Sequence, residues 1–530
     1  MDHAMKGACR RTTAGLAGLG AALLTAVSAD AATVRPAATR EALVNPGMGI
    51  VCYHNAGRLW AYGSKTAPGD TLDWFPGVST IYFRLLWSDL EPREGEYHWE
   101  IIDSFAQPWI ARGKKLAFRI ICSNQTTNAV PDYVRAAGAK GAWFDYPPQK
   151  WEKTPVLSRF WEPVFDDPVF LEKYETFMRA FAARYDGDDS VAFVDIGSIG
   201  LFGEGHTSGT VNLNEADTER INLIHYDLHR RVLPRTQLIV SHSAAHPAIF
   251  KGVKDPPLLA TARELGIGFR NDSVFCYAYH KPECSWTDGC WARLFAPTLP
   301  VVIETGHYSM TQASGQWHTD RLVACAEAFQ ASYFSIHGFP DRMLKDLRPE
   351  YEELARRVGY RFELREVSWP DEVCVGEPVK IRAEWVNVGV TWCHEPVFAA
   401  WTLTDAQDNV VWTCVDETFD FRTAYPKIDG IPTWDRAVPG PRVEGRERPV
   451  SRTSLCRFGF DAVSMTNDVA YLRTKELGFD PPDVWRMLKR GEYDLSVSIG
   501  SRQGTPRIAL PLEGRIGTTR RYRIGKVRVK

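Results

Sequence analysis

Short apolar runs alternate with amphipathic stretches between residues 44 and 358. Runs of about four to eight apolar, often β-branched residues predict buried strands, and the amphipathic stretches between them predict helices. The predicted strands span residues 47–53, 80–86, 115–122, 192–197, 237–241, 301–304 and 333–337, with a further one at either 267–271 or 274–279. The predicted helices span residues 98–112, 168–185, 215–232, 317–329 and 349–358.

Repeated strand–helix units predict a parallel sheet with crossover helices. A count of eight strands favours a closed (β/α)₈ barrel, or TIM barrel, over an open doubly wound sheet. No glycine-rich phosphate-binding loop follows the first strand, which weakens a nucleotide-binding alternative. We therefore expect an α/β fold in which residues 32–360 form the barrel.

The pattern changes after residue 360, where strand-like segments follow one another with few helices between them. These period-two segments span residues 361–367, 379–387, 397–404, 409–415, 492–499, 507–510 and 522–529. They predict a C-terminal antiparallel β-sandwich over residues 361–530. A long insertion rich in Pro and Arg interrupts it at about residues 418–482, and loops of that length are usually functional or poorly ordered.

The charge balance excludes some partners. The net charge is -2, so no basic field points to nucleic acid or to an anionic membrane surface. The chain contains 18 Trp, 19 Tyr and 26 Phe, which can stack on sugar rings, although most of them must fill the core of a chain this long. The tryptophans that we consider as sugar platforms are Trp60, Trp87, Trp286 and Trp317.

The N-terminus has the pattern of an export signal. Lys6, Arg10 and Arg11 precede a short apolar run over residues 12–28, and Ala29-Asp30-Ala31 offers small residues for cleavage before Ala32. An uncleaved membrane anchor is the alternative, but the run is short and glycine-rich for a stable span. We expect residues 1–31 to be removed and the mature protein to be secreted or periplasmic, without stable membrane insertion.

Ten of the 11 cysteines lie beyond this signal, and an oxidising compartment permits disulfides. Cys284 and Cys290 are close enough in sequence to close a loop. A second group lies in the C-terminal part and contains Cys374, Cys393, Cys414 and Cys456. Spacing alone does not determine which of these cysteines pair.

Polar residues follow most of the predicted strands, which matters because the active site of such a barrel lies at the C-terminal strand ends. The candidates at these ends are His54, Arg84, Trp87, Asn124, Glu204, His206, His242, Asp272, Tyr279, Glu304, His307 and His337. Histidines scattered in this way, without a His-x-His or His-Glu-x-x-His spacing, indicate hydrogen-bonding to a sugar better than metal binding. We expect no metal and no cofactor.

Glu204 and Glu304 stand out among these residues, because each follows an apolar strand-like run and has a glycine close behind it. Glycoside hydrolysis uses two carboxyl groups: one donates a proton to the leaving oxygen and the other attacks the anomeric carbon or activates water. We expect Arg84 to lie beside Glu304 and keep it ionised, and a less polar surrounding to keep Glu204 protonated. Glu304 is then the nucleophile and Glu204 the acid/base.

The segment over residues 83–99, FRLLWSDLEPREGEYHW, is similar to a stretch of β-galactosidase-like enzymes. The barrel resembles the clan A (4/7 superfamily) glycoside hydrolases, and Asn45-Pro-Gly-Met-Gly49 with the trailing sandwich resembles a poorly characterised exported bacterial family. In that clan the acid/base glutamate follows strand four and the nucleophile glutamate ends strand seven, which implies that Glu204 is the acid/base and Glu304 the nucleophile. An arginine ending strand two often supports the nucleophile, which implies this role for Arg84. The resemblance implies a secreted retaining hydrolase acting on an oligo- or polysaccharide.

One position departs from the clan pattern. The clan usually has asparagine before the acid/base glutamate, where it contacts the sugar 2-hydroxyl, and Gly203 stands there in this chain. Either Asn124 or His206 makes that contact, or Glu204 is displaced. A non-catalytic carbohydrate-binding protein on a degenerate barrel is therefore the alternative. A lyase or esterase is weaker, and no Gly-x-Ser-x-Gly elbow supports the esterase.

Overall fold

The structure is a computed structural model that describes residues 31–55, 67, 69–125, 127–146, 158–249, 251–274, 290–313, 315, 317, 319, 321–375, 377–427, 446–457 and 488–530. The predicted export signal, apart from Ala31, lies outside the described residues, and so do Trp60, Trp286 and Tyr279. Among the helices that the structure describes, none is long and apolar enough to cross a bilayer.

Eight parallel strands close into a barrel, as the sequence predicts. The strands are β1 (Gly49–Asn55), β2 (Val78–Leu86), β3 (Lys115–Ile121), β4 (Val191–Asp195), β5 (Leu238–Ser241), β6 (Gly268–Val274), β7 (Val301–Thr305) and β8 (Tyr333–Ile336). The register between β8 and β1 runs from Tyr333 opposite Gly49 to Ile336 opposite Cys52, which closes the ring. Strand β6 agrees with the 267–271 alternative and extends it to Val274.

Helices follow the strands and cover the outside of the barrel. The longest are Glu100–Ala111, Pro168–Tyr185, Glu215–Val232, Pro257–Glu264, Arg321–Phe329 and Pro340–Arg357. Two of them have the predicted bounds, and Asp167 and Asn214 cap their N-termini by accepting backbone N–H bonds. The last helix begins nine residues before the predicted residue 349, because the chain accommodates Pro349 with a kink at Leu347 instead of starting there.

Two further sheets, mostly antiparallel, follow the barrel. Their strands are β9 (Phe362–Pro370), β10 (Glu372–Val373), β11 (Pro378–Asn387), β12 (Phe398–Thr404), β13 (Val410–Asp416), β14 (Val450–Arg457), β15 (Gly491–Gly500), β16 (Pro506–Ile508) and β17 (Tyr522–Val529). The order in one sheet is β9-β11-β14, with the Ala31–Val34 strand on the free side of β9, and in the other β10-β17-β15-β12-β13 with β16 beside β15. Apolar side chains of both sheets belong to one buried cluster.

Strand β14 lies inside the segment that the sequence indicated as an irregular insertion. It pairs antiparallel with β11 along its whole length, from Val450 opposite Trp385 to Cys456 opposite Val379. Its solvent-facing residues include Leu455, which is 61% exposed, so the strand lacks the clean alternation that would have predicted it. Residues 428–445 and 458–482 of this segment lie outside the described residues.

The chain runs along the C-terminal sheets before it enters the barrel. Residues Ala31–Val34 form a strand that pairs antiparallel with β9. The side chain of Asn45 then exchanges two hydrogen bonds with the backbone of Ala509, at 3.1 and 2.6 Å. The N-terminal residues therefore connect the two parts of the molecule, although the barrel follows them directly in sequence.

Candidate functional site

Charged side chains form a layer across the barrel interior near the C-terminal strand ends. Below this layer the interior is apolar and includes Val51, Tyr82, Ala117, Phe193, Ile239 and Val302. Side chains alternate along a strand, so the residue two positions further also faces inward. In β1 to β5 and β7 these residues are Tyr53, Arg84, Arg119, Asp195, Ser241 and Glu304, and Arg270 is the corresponding residue of β6.

Glu304 is 5% exposed and has a histidine beside one carboxylate oxygen and two arginines beside the other. His337 donates through Nδ1 to Oε1 at 3.0 Å, while Oε2 lies 3.7 Å from Nη2 of Arg119 and 3.6 Å from Nη1 of Arg270. Burial alone would raise the pKa of Glu304, but the hydrogen bond from His337 and the two guanidinium charges hold that pKa well below its usual 4.5. Glu304 is therefore an ionised carboxylate at neutral pH.

A buried carboxylate, Asp195, binds both arginines from below. Its Oδ2 lies 2.6 Å from Nε of Arg270 and 3.3 Å from Nε of Arg119. The same oxygen accepts a 2.5 Å hydrogen bond from the hydroxyl of Tyr82, to which Arg119 Nε also donates at 2.7 Å. Each arginine therefore contacts Asp195 through Nε and directs one terminal nitrogen toward Glu304, namely Nη2 of Arg119 and Nη1 of Arg270. This arrangement compensates two buried positive charges and fixes their orientation.

Glu204 stands on a tight turn after β4 rather than on the strand itself. The turn contains the 3₁₀ segment Leu201–Gly203, in which Phe202 has a φ of 61° and Gly203 a φ of 71°. A Cβ atom at Gly203 would lie 2.5 Å from the carbonyl oxygen of Gly197. No side chain fits there, so the asparagine of the resembling family is excluded by this backbone.

Hydrogen bonds on both sides hold Phe202 in its uncommon conformation. Its N–H donates to the carbonyl of Ser123 at 3.1 Å, and its own carbonyl accepts from Nη1 of Arg119 at 3.2 Å. Backbone strain of this kind persists only where the surroundings fix it, and it is common at functional sites. The arginine of the charged layer thus also anchors the turn that carries Glu204.

Glu204 itself is partly exposed, at 22% of its side chain, and contacts one arginine and one histidine. Oε1 lies 3.8 Å from Nη1 of Arg119, and Oε2 accepts from Nε2 of His206 at 3.4 Å. Burial would raise the pKa of Glu204, but the bond from His206 and the charges on Arg270 and Arg119 lower it below 4.5. The expectation that a less polar surrounding keeps Glu204 protonated is therefore wrong.

Histidines surround both carboxylates. His337 stacks on the ring of Tyr53, with centroids 4.4 Å apart, and meets His307 edge to face at 4.0 Å. On the other side His206 stacks on His246 at 5.4 Å, which in turn contacts His242 at 5.5 Å. The rings of His246 and His206 thus link His242 to Glu204, and burial lowers the pKa of His242 to about 3.

Arg84 lies in the same layer but not where the sequence analysis expected it. Among the arginines whose side chains the structure describes, Arg119 and Arg270 lie within 4 Å of Glu304. The guanidinium carbon of Arg84 lies 5.4 Å from the centroid of the Tyr53 ring and 5.5 Å from that of Phe202. Arg84 extends toward the turn after β4, which leaves the support of Glu304 to the arginines of β3 and β6.

His54 lies in the layer between strands and helices, apart from the carboxylates. Tyr53 faces the interior, so its neighbour His54 faces outward and packs on Phe83 and Phe105, with ring centroids 5.4 and 4.4 Å away. His54 was expected to contact substrate, and this position corrects that expectation.

Trp87 is also buried, and packs among Phe170, Tyr174 and Phe177. Its Nε1 donates to Oε2 of Glu91 at 2.8 Å, and Oε1 of Glu91 accepts from the N–H of Gly95 at 2.9 Å. The sugar-platform prediction for Trp87 is therefore wrong. The motif over residues 83–99 builds this buried corner.

Three further predicted residues are Asn124, Trp317 and Asp272. Asn124 is buried just beyond β3. Trp317 meets the ring of Tyr308 edge to face at 4.7 Å. Asp272 belongs to β6, but its side chain is outside the described part of the structure. Among the side chains that are described, no group of three or more His, Cys, Asp or Glu could hold a metal ion.

Sequence reasoning missed three charged residues of the site, namely Arg119, Asp195 and Arg270. Each is fully or almost fully buried in a predicted strand, where an apolar side chain was expected. The sequence did indicate them, because a charged residue inside an apolar strand is costly to bury. Each of them also occupies a position whose side chain faces the barrel interior. All three could have been found by noting that the residue two positions after each inward-facing residue of a strand also faces the barrel interior.

Comparisons with known proteins give remote similarities. No protein-family model matches the chain, and no curated protein matches it. Endo-glycoceramidase II from Rhodococcus sp. is 14% identical, covering 72% of this chain and 96% of its own, with a TM-score of 0.38. An exo-β-1,4-mannosidase from Opitutaceae bacterium strain TAV5 is 14% identical, over 52% of this chain and 49% of its own, with a TM-score of 0.30. The catalytic domain of β-amylase from Paenibacillus polymyxa is 9% identical, over 58% and 98%, with a TM-score of 0.39.

Proposed function

We propose that the protein is a glycoside hydrolase that cleaves a glycosidic bond in an oligo- or polysaccharide. The observation that carries this proposal is that Glu204 and Glu304 contact the same guanidinium group, that of Arg119, at the C-terminal end of the barrel. Two carboxyl groups on one site at this face are what glycosidic cleavage requires. The substrate partner is a carbohydrate.

Glu304 is the proposed nucleophile. A nucleophilic carboxylate must be ionised, and the hydrogen bond from His337 together with Arg119 and Arg270 lowers the pKa of Glu304 accordingly. The same three groups stabilise the carboxylate in the free enzyme and release it as leaving group when the covalent glycosyl-enzyme breaks down.

Glu204 is the proposed acid/base. It stands on the rim of the site and is more exposed than Glu304, so it can meet both the leaving oxygen and an incoming water. Its lowered pKa must rise when a sugar covers it, because burial without new charge partners favours the protonated acid. His206 lies beside Oε2 of Glu204 and would contact the sugar together with this carboxyl group.

We further propose a retaining mechanism, in which Glu304 bonds to the anomeric carbon and Glu204 then deprotonates water. Retaining enzymes hold the two carboxyl groups about 5–5.5 Å apart, and inverting enzymes about 6.5–9.5 Å. Proton NMR of the first product distinguishes them: a product with the anomeric configuration of the substrate supports retention. A product with the inverted anomeric configuration would contradict the assignment of Glu304 as nucleophile, but not the proposal that the protein is a glycoside hydrolase.

The decisive experiment for hydrolysis is a panel of aryl glycosides and polysaccharides tested with the unaltered protein and three variants. We expect Glu304→Gln to abolish turnover on any substrate that the protein cleaves. Glu204→Gln should reduce kcat/KM by about 10²- to 10⁴-fold on substrates with poor leaving groups and much less on activated aryl glycosides, which need little proton donation. Glu264→Gln, on an exposed helix end, is the matched control and should be unaffected.

Full activity of Glu304→Gln would contradict the proposed chemistry. Sugar binding by the unaltered protein without turnover across the panel would instead support a non-catalytic carbohydrate-binding protein on a degenerate barrel. The strongest sequence argument for that alternative was Gly203, and the conformation of the turn gives this glycine a steric reason.

We also propose that the mature protein is secreted or periplasmic, with cleavage after Ala31. The support is the charged, apolar and small-residue pattern of residues 1–31. N-terminal sequencing of the protein from the culture medium or periplasm should start at Ala32. Recovery only as an uncleaved, membrane-bound chain would contradict the proposal.

The two C-terminal sheets are proposed to face each other as a β-sandwich. Trp401 of β12 is buried in their shared cluster, and its Nε1 donates to Oγ of Ser454 in β14 at 2.9 Å. Trp401→Ala should then lower the free energy of unfolding by about 3–5 kcal/mol, since it empties space between both sheets. A loss below about 1 kcal/mol in denaturant unfolding would argue against facing sheets.

A further inference from the structure

Among the strands that the structure describes, β13 and β14 each stand at one edge of a C-terminal sheet, and they lie side by side. A buried hydrogen bond joins them, because Oγ of Ser454 in β14 donates to Oδ2 of Asp416 in β13 at 2.9 Å. Two residues before Asp416 stands Cys414, and two residues after Ser454 stands Cys456. Steps of two preserve the facing side of a strand, so Cys414 and Cys456 lie on the same sides of β13 and β14 as Asp416 and Ser454, whose side chains meet.

The two thiols meet inside the shared apolar cluster. Cys456 is fully buried and Cys414 is partly buried against the same cluster. Cys414 is opposite Trp401 in the register of β12 and β13, and Trp401 in turn donates to Ser454. A hydrogen bond with the Cys414 thiol, together with burial, raises the pKa of Cys456 well above its usual value. Thiols in hydrogen-bonding contact are close enough to be joined with little movement of the backbone.

We propose that Cys414 and Cys456 form a disulfide that covalently joins the edges of the two C-terminal sheets. The oxidant is a disulfide compound or a disulfide-bearing protein of an oxidising compartment. Cys414, the more exposed thiol, attacks it as thiolate to give a mixed disulfide, and Cys456 then displaces the second sulfur. One S–S bond forms and the oxidant's S–S bond breaks, with two electrons and two protons passing to the oxidant as two thiols.

The link has a structural consequence. The chain between the two cysteines includes residues 428–445, which lie outside the described residues. Closing this stretch into a loop restricts the unfolded chain and thereby stabilises the folded sheets. This inference goes beyond the proposed hydrolase activity and does not depend on it, since the cysteines lie on the C-terminal sheets rather than in the barrel.

Peptide mapping tests the link directly. Tryptic cleavage leaves Cys456 alone in peptide 453–457, whereas peptide 383–422 carries both Cys393 and Cys414. The full chain is prepared without reductant in a Cys393→Ser background, incubated with glutathione disulfide, alkylated and digested. We expect 453–457 joined to 383–422, and the separate peptides after reduction. Alkylation of both cysteines as free thiols after this incubation would overturn the proposal.

Thermal unfolding tests the stabilising role. Reduction should lower the unfolding temperature by roughly 5–10 °C, and a Cys414→Ser, Cys456→Ser double variant should unfold at the reduced temperature whether or not reductant is present. Cys393→Ser is the matched control, because Cys393 is buried in the same cluster but its thiol donates to the carbonyl of Glu395. This control should still respond to reductant. If the cross-linked protein unfolds at the same temperature with and without reductant, the proposed stabilising role is wrong.

Discussion

Glu204 and Glu304 lie against two different nitrogens of one guanidinium group: Nη1 of Arg119 is 3.8 Å from Glu204, and Nη2 is 3.7 Å from Glu304. One rigid, permanently charged group therefore sets the relative position of both carboxylates. It also lowers the pKa of both. Changes to Arg119, or to the residue that orients it, should affect acid and nucleophile together.

Arg119→Lys keeps the charge but removes the fork that spans the two carboxylates. A lysine ammonium is a point charge and cannot orient both, so we expect kcat/KM to fall by about 10²- to 10³-fold with the fold intact. Steady-state kinetics and circular dichroism of the variant check this. Retention of near-normal kcat/KM would mean that the shared guanidinium is structural only.

The pH dependence of kcat/KM should have an acidic optimum. The active form of the free enzyme has Glu304 ionised and Glu204 protonated, and the pKa of Glu204 is lowered below 4.5. Raising the pH deprotonates the acid, so kcat/KM should peak below about pH 5 and decline above it. A profile that peaks at or above pH 7 would contradict this order of pKa values.

The same shifts affect stability and must be controlled in that experiment. The folded-state pKa values of Glu204 and Glu304 are depressed, so their stabilising contribution is present above the usual 4.5 and is lost as the pH falls below it. Circular dichroism across the pH range separates loss of activity from unfolding.

Asp195→Asn should shift the pH dependence of kcat/KM, so that the decline on the alkaline side of the optimum begins at a lower pH. Without the Asp195 charge, Arg119 and Arg270 are less compensated and lower the pKa of Glu204 further. Tyr82→Phe is the matched control, because it removes a neutral hydrogen-bond donor to the same oxygen and leaves the charge. If both variants lose activity without a shift of this decline, Asp195 has a packing role alone.

Gly203→Ala should impair both folding and activity. The new Cβ would meet the Gly197 carbonyl oxygen at 2.5 Å, so the turn must move and displace Glu204. A displacement of about 1 Å costs about 10²-fold in rate. Gly209→Ala is the control: its φ of 87° is equally left-handed, but nothing lies within 4 Å of the added Cβ.

For the glycine pair, we expect Gly209→Ala to lose about 1–2 kcal/mol of stability and little activity. Gly203→Ala should lose more stability and at least about 10²-fold in kcat/KM. Equal behaviour of the two variants in denaturant unfolding and kinetics would show that the close approach of Gly197 does not determine the position of Glu204.

The sequence by itself determined the barrel and the position of Glu304. Periodicity is a local property, and the strands and the helices over residues 168–185 and 215–232 follow from it directly. Glu304 could be placed because it ends a continuous apolar strand. Strand β14 was missed, because an edge strand with an exposed leucine has no clean alternation.

Only the tertiary structure decided which partners the carboxylates have. Arg84, Arg119 and Arg270 all have the inward phase, and nothing local to each strand says which of them reaches Glu304 across the barrel. The turn of Glu204 was likewise undetermined, since Gly203 is required by the carbonyl of Gly197 six residues earlier. Alternation along the strand decides which side chains face the barrel interior, and that is a local property of the sequence. The distance between two inward-facing charges depends instead on how the eight strands are staggered when the barrel closes.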